Sequence, residues 1–274
     1  MNIFFTKTNY KFAKNANKSN SAVLTFIPDT LNMKKTALIT GATSGIGMAT
    51  AIRFASEGIN LILCGRRDER LLELKKKLQP KVDVHTLCFD VSDKKATFAA
   101  ISNLPPEFST IDILINNAGN AYGLDSIESG KIADWEFMID INLKGLLYVS
   151  KAVLQNMMKN NSGHIINIGS TAAKNVYKKG NVYCATKHSV DALTKGMRID
   201  LKEHGIKVGS IHPGLTETEF SKVRFHGNKE KADEVYNNVI SLKPEDLADI
   251  IHFVISRPYH INISDLVAMP ISQN

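Results

Sequence analysis

Thr36-Ala37-Leu38-Ile39-Thr40 runs directly into Gly41-Ala42-Thr43-Ser44-Gly45-Ile46-Gly47, and an amphipathic stretch continues as far as Gly58. A short apolar run, a glycine turn, and then apolar residues at three- and four-residue spacing read as strand, turn and helix. The glycines have a geometric reason. After a buried strand the chain must turn sharply, bring backbone N–H groups close to an anion, and open a helix whose positive end faces that anion; side chains would obstruct the approach. The spacing is T-G-x-x-x-G-x-G, distinct from G-x-G-x-x-G and without the G-K-[ST] ending of a mononucleotide loop. Gly41, Thr43, Ser44, Gly45, Ile46 and Gly47 are thus candidate walls of a pyrophosphate site.

Working outward, six further apolar runs follow: INLILC, VDVHTLCF, IDILIN, GHIINIG, IKVGSIH and DLVAM. Between the first six strands lie helical patterns such as DERLLELKKKL. Regular alternation of this kind builds an α/β fold with a doubly wound, seven-stranded parallel sheet and helices on both faces. Residues 216–243 interrupt the rhythm with a charged, helical segment and are expected to form a substrate lid. Residues 33–274 hold neither a solenoid repeat nor a Pro- or Gly-rich linker and read as one domain. Residues 1–32, rich in Asn, Lys and Ser, lack both a secretory apolar core and the Arg enrichment of a transit peptide, and are expected to form a flexible N-terminal extension.

The 34 Lys and Arg exceed the 27 Asp and Glu by seven, which raises the question of nucleic acid or an anionic membrane. The distribution argues against both: Lys7, Lys11, Lys14 and Lys18 lie in the extension, and the rest of the excess is spread over helix faces. No run approaches the roughly 18 uninterrupted apolar residues of a spanning helix. Cys64, Cys88 and Cys184 are odd in number, widely spaced and without a C-x-x-C, so neither a disulfide framework nor a zinc site is signalled; a reducing, cytoplasmic compartment is expected. None of the eight histidines has metal-ligand spacing.

Candidate chemistry gathers at the strand ends. The second strand closes on Cys64-Gly65-Arg66-Arg67, where an acid would accept hydrogen bonds from a ribose 2′-hydroxyl. Two guanidinium groups suit a 2′-phosphate instead, with no carboxylate there to repel it; this points to NADP(H), with Arg66 preferred over Arg67. Tyr183 and Lys187 lie four apart in a helical pattern and share a face. A neighbouring ammonium would lower the phenol's pKa and fit Tyr183 for proton exchange with a substrate oxygen. Ser170, ending the fifth strand thirteen residues earlier, can polarise a carbonyl. Asn142 interrupts a long helical pattern, where its amide could hold a water linking Lys187 to solvent. Asn117, Ala118 and Gly119 follow the fourth strand and leave room for a ribose.

Taken together, TGATSGIG, Asp90-Val91, NNAG, Asn142, Ser170, YCATK and Pro213-Gly214, in this order over residues 34 to about 270, resemble the short-chain dehydrogenase/reductases. The resemblance implies a single-domain Rossmann fold, with Asn142, Ser170, Tyr183 and Lys187 as a catalytic tetrad and Lys187 also on the nicotinamide ribose. It further implies Asp90 and Val91 at the adenine, Asn117 to Gly119 along the cofactor, and Pro213, Gly214, Thr216 and Thr218 around the nicotinamide. A homotetramer built on the helices containing Asn142 and Tyr183 is implied as well.

The segments IGSTA, GNVYCATK and HPGLTETEFSKVRFHG, with the tail INISDLVAMPI, are similar more narrowly to the NADP-dependent 3-hydroxy acid dehydrogenases. These act on serine, allo-threonine and related acids and reduce malonic semialdehyde. Lys174, Asn175, Lys178 and Lys179 depart from the smaller or aromatic residues expected in the substrate-side loop. A carboxylate substrate requires a cation in or beside the site; Arg224 is preferred, with Lys178 or Lys179 as alternatives. His212 is expected near the nicotinamide pocket, Cys184 as packing, and Trp135 against core or a neighbouring subunit. The rival readings are a carbonyl reductase for a neutral ketone or oxoacyl substrate and an NADP-sensing protein without turnover.

Overall fold

The computed structural model describes residues 34–236 and 240–273. The expected N-terminal extension, residues 1–32, lies outside the described residues, as do positions 237–239 of the expected lid.

Seven strands, β1 (Thr36–Thr40), β2 (Asn60–Gly65), β3 (Val84–Cys88), β4 (Ile113–Asn116), β5 (Gly163–Ile168), β6 (Ile206–Pro213) and β7 (Asp265–Ala268), form one sheet in the order β3-β2-β1-β4-β5-β6-β7. Every pairing is parallel. Parallel strands need crossovers, and the helices that provide them cover both faces, so central strands become continuous apolar runs. β1, β4 and β5 are buried along their whole length. The edge strand β7 is only half covered.

Side-chain alternation divides the core in two. Ile39, Leu61 and Leu63 face one layer with Phe54 of α1 (Gly45–Ser56), Leu71 of α2 (Asp68–Leu78) and Ile251 of α9 (Pro244–Ile255). Leu38 and Ile62 face the other, with Ile101 of α3 (Lys94–Ser102), Val149 and Val153 of α5 (Leu146–Asn160) and Leu201 of α6 (Asn181–Leu201). Fully burying one such side chain contributes about 1.5–3 kcal/mol, so neither layer is dispensable.

The strand order reverses beside β1, whose neighbours are β2 and β4. Crossovers there leave in opposite directions and open a crevice beyond the strands' C-terminal ends. Two irregular stretches border it. Between α4 (Ile132–Ile139) and α5 the chain adopts a π-helical turn over Asp140–Gly145. After β6, the expected helical segment is two short helices, α7 (Phe220–Arg224) and α8 (Lys229–Glu234), separated by a turn. A parallel bridge between Thr216 and Leu242 ties the ends of this excursion together. No helix among the described residues is long and apolar enough to cross a membrane.

Candidate functional site

The crevice holds a cavity of about 440 Å³, a size suited to a small-molecule ligand. The glycine loop forms one wall. Gly41 and Gly45 have φ of 65° and 51°, a left-handed backbone that side chains disfavour. Thr40 Oγ1 accepts hydrogen bonds from the N–H groups of Asn117 (3.0 Å) and Ala118 (2.9 Å), while Asn117 Nδ2 donates to the carbonyls of Thr40 and Gly41. The turn after β4 is thereby clamped to the loop after β1. Gly47 does not line the cavity: a Cβ there would collide with the Gly41 carbonyl and with Asn117 Nδ2. Its role is close packing beneath the loop. At the start of α1, Ser44 makes no side-chain capping bond and the first turn carries no acid, so the positive helix end faces the cavity uncompensated. Such a cradle fits a pyrophosphate.

At the end of β2, both arginines line the cavity. Arg67, rather than the preferred Arg66, is integrated with the loop: it donates from Nε and Nη2 to Thr43 Oγ1 at 3.1 and 2.8 Å, and from Nη2 to Ser44 Oγ at 2.8 Å. Arg66 pairs with Asp90 at 3.3 Å and lies over the Phe137 ring. A carboxylate does stand here, contrary to the expectation from local sequence. Glu219, beyond β6, bonds Arg67 at 2.8 Å and Arg70 at 2.9 Å. Asp90 and Val91 line the adjoining wall, and Ser92 donates to the Asp90 carboxylate from its backbone and hydroxyl.

Ser170, Tyr183 and Lys187 meet at the far end of the same cavity. Ser170 Oγ accepts from the Ala172 N–H at 3.1 Å and is hydrogen-bonded to Tyr183. Lys187 is 6% exposed, donates to the Ile168 carbonyl at 3.0 Å, and is lowered by burial to about 8. Burial pushes the Tyr183 phenol above its ordinary value, outweighing the Ser170 bond and the nearby Arg224. The expected lowering by Lys187 is thus not the controlling effect; burial of the phenol is.

Asn142 lies behind the loop after β4, next to Gly119. It does not line the cavity; Oδ1 accepts from the Asn120 N–H at 2.8 Å, and Nδ2 donates to the Asn120 carbonyl at 2.8 Å and to Thr186 Oγ1 at 3.1 Å. The π-helical turn aims this buried amide at the loop after β4, so Asn142 fixes that loop to α6.

Pro213, Gly214, Thr216 and Thr218 line the wall after β6. Arg224 joins them, its guanidinium 5.7 Å from the Tyr183 ring centre and donating to the Tyr177 hydroxyl at 2.9 Å. Lys178 and Lys179 are absent from this wall. Lys174 instead bonds Asp191 (2.9 Å) and Asp265 (2.7 Å). His212, fully buried, lies behind Ser170: Nδ1 is 3.3 Å from the Ser170 N–H and Nε2 is 2.9 Å from Asp265. Cys184 packs in the small cluster with Tyr183 and Met138, and Trp135 leans on it.

Several residues of the site escaped sequence reading. Thr40 had a legible signal, a hydroxyl ending a strand just before a glycine turn. Tyr177, Phe220, Glu219 and Gln273 had none, since they reach the cavity from distant parts of the chain.

A sequence model of the family described as short chain dehydrogenase matches residues 35–229. An NADP-dependent 3-hydroxy acid dehydrogenase of Escherichia coli O6:H1 is 45% identical over 238 residues, covering 86% of this chain and 95% of that protein. Serine 3-dehydrogenase of Rhizobium radiobacter is 44% identical over 242 residues, covering 88% and 96%. A solved structure of serine dehydrogenase in its closed form with NADP+ superposes with a TM-score of 0.84 at 44% identity, covering 87% of this chain and 96% of that one. With the fold, the glycine cradle and these likenesses in agreement, the chain belongs to the short-chain dehydrogenase family.

Proposed function

We propose that this protein is an NADP-dependent oxidoreductase that interconverts a 3-hydroxy acid, of the serine, allo-threonine or 3-hydroxypropionate type, with its 3-oxo acid or semialdehyde. The observation that carries the substrate class is Arg224: a guanidinium on the cavity wall, beside the Tyr183 ring, where a substrate carboxylate would otherwise stand unpaired. The names of the relatives support the same class.

The glycine loop and the first turn of α1 hold the pyrophosphate, Arg67 with Thr43 and Ser44 holds the 2′-phosphate, and Asn117 to Gly119 lie along the ribose. When bound, the reduced nicotinamide supplies the hydride. Ser170 orients the carbonyl oxygen, and Tyr183, held as a neutral phenol by its burial, donates its proton to that oxygen as the carbonyl carbon becomes a carbinol. In the reverse direction Tyr183 recovers the proton. Lys187, on the same cavity wall, holds a positive charge below about pH 8, and Asn142 keeps the loop after β4 in place. We further propose a cytoplasmic homotetramer assembled through the helical segments containing Asn142 and Tyr183; light scattering on the purified protein measures its oligomeric state directly.

The test follows NADPH absorbance with malonic semialdehyde, serine, allo-threonine, 3-hydroxyisobutyrate and a neutral ketone. Turnover of the acids with little activity on the ketone is expected; the opposite ranking overturns the substrate class. Arg224→Met should raise KM for the acids by about tenfold or more, the worth of one charge-assisted pair, and leave a neutral ketone almost unaffected. An unchanged KM for the acids removes Arg224 from substrate binding.

A further inference from the structure

The carboxylate of Glu219 lies against Arg67, at the end of β2, and Arg70, in the first turn of α2. Arg67 gives Nε and Nη2 to the Thr43 and Ser44 hydroxyls, and its remaining Nη1 reaches Glu219 Oε2 at 2.8 Å. Arg70 grips both Glu219 oxygens, at 2.9 and 3.1 Å. The carboxylate comes from the opposite wall of the cavity, 152 positions along the chain from Arg67, and sits at the N-cap of α7. Glu219 and Arg67 both line the cavity proposed for the cofactor.

A guanidinium recognises carboxylates and phosphates through the same two-pronged bonds. An anionic oxygen pair already lodged on Arg67 and Arg70, beside the Thr43 and Ser44 hydroxyls, is therefore a stand-in for an external anion of the same class. We propose that Glu219 is an internal competitor for the cofactor's 2′-phosphate, released from Arg67 and Arg70 when a 2′-phosphorylated dinucleotide binds, and thus a determinant of how strongly the protein favours NADP(H) over NAD(H). The proposal rests on the NADP reading above.

The reasoning is a population argument. A ligand that needs the arginines free binds with an affinity reduced by the fraction of molecules in which they are free. A dinucleotide without the 2′-phosphate makes no demand on them and leaves Glu219 in place. The arginines hold the Glu219 carboxyl below the usual range despite partial burial, so it is ionised and competing at neutral pH. Phe220, the next residue, packs its ring 5.7 Å from that of Tyr183, so the competitor also sits at the root of the wall bearing Arg224.

Calorimetric titration of the full chain with 2′,5′-ADP and with 5′-AMP separates the outcomes. Glu219 is a partly exposed side chain, and Glu219→Gln keeps its shape while removing its charge. The variant should bind 2′,5′-ADP about three- to tenfold more tightly than the parent, the worth of one or two exposed ion pairs, and 5′-AMP with unchanged affinity. Weaker or unchanged 2′,5′-ADP binding in the variant, with the parent still preferring 2′,5′-ADP over 5′-AMP, overturns the competitor role alone. Equal affinity for the two ligands in both proteins overturns the NADP reading and the proposal with it.

Discussion

Burial of Tyr183 and Lys187 acts in opposite senses on their chemistry. Desolvation disfavours the charged form of each, raising the phenol and lowering the ammonium. Tyr183 is therefore kept as the proton donor, and Tyr183→Phe should abolish turnover, a loss of at least about a thousandfold, while NADPH binding measured by fluorescence stays within about twofold of the parent. Retained activity in the Phe protein removes Tyr183 from proton transfer. Lys187 makes a second, thermodynamic prediction. Its folded value of about 8 lies below the value of about 10.4 for an unfolded lysine. Between those limits the unfolded chain binds the proton first, so this group's contribution to stability rises with pH from about 8 to about 10 and is constant below and above. Urea unfolding at pH 7, 8, 9 and 10 should show the parent gaining stability over Lys187→Met across that window; parallel curves for the two proteins contradict the assignment. At the same scale, the sequence singled out Tyr183, Lys187 and Ser170 because spacing along a helix and position at a strand end are local properties. It did not reveal the partners of Arg66 and Arg67, because Asp90 and Glu219 come from elsewhere in the chain.

Elements position these groups by close contact. The loop between β1 and α1 is clamped from below by the turn after β4, through Thr40 and Asn117, and Gly47 is the point of nearest approach. Gly47→Ala should force the loop away from Asn117, weakening NADPH binding by about tenfold or more and costing about 1–3 kcal/mol of stability. A fluorescence titration with a parallel urea curve checks both effects, and an unaffected Kd dissociates the clamp from binding. The π-helical turn over Asp140–Gly145 is the second positioning device. The interruption at Asn142 was legible in the sequence; the added residue in the turn directs the amide to Asn120 and Thr186, partners the sequence did not reveal. A third element, the segment after β6, was legible as a charged excursion and resolved into α7 and α8, because Gly227 and His226, both at positive φ, break the helix between them.

At the level of the whole molecule, two apolar layers hold the sheet whose strand ends define the cavity. Phe54 of α1 is fully buried in the apolar layer shared with α2, α9 and the sheet, and Phe54→Ala should cost about 3–5 kcal/mol, read as a fall in the urea midpoint at unchanged slope. A loss below about 1 kcal/mol would mean that this layer does not carry the fold. The amino-acid sequence by itself determined the seven strands, their parallel arrangement, the crevice and the glycine cradle, because periodicity, turn chemistry and short-range spacing act over a few residues. Only the tertiary structure decided that Glu219 lies on Arg67 and Arg70, that His212 stands behind Ser170, that the Asn142 amide is bonded to Asn120 and Thr186 and that Gln273 accepts a bond from the Leu215 N–H. Those contacts join residues tens to more than a hundred positions apart, and their geometry exists only after both layers have packed and brought the strand ends together.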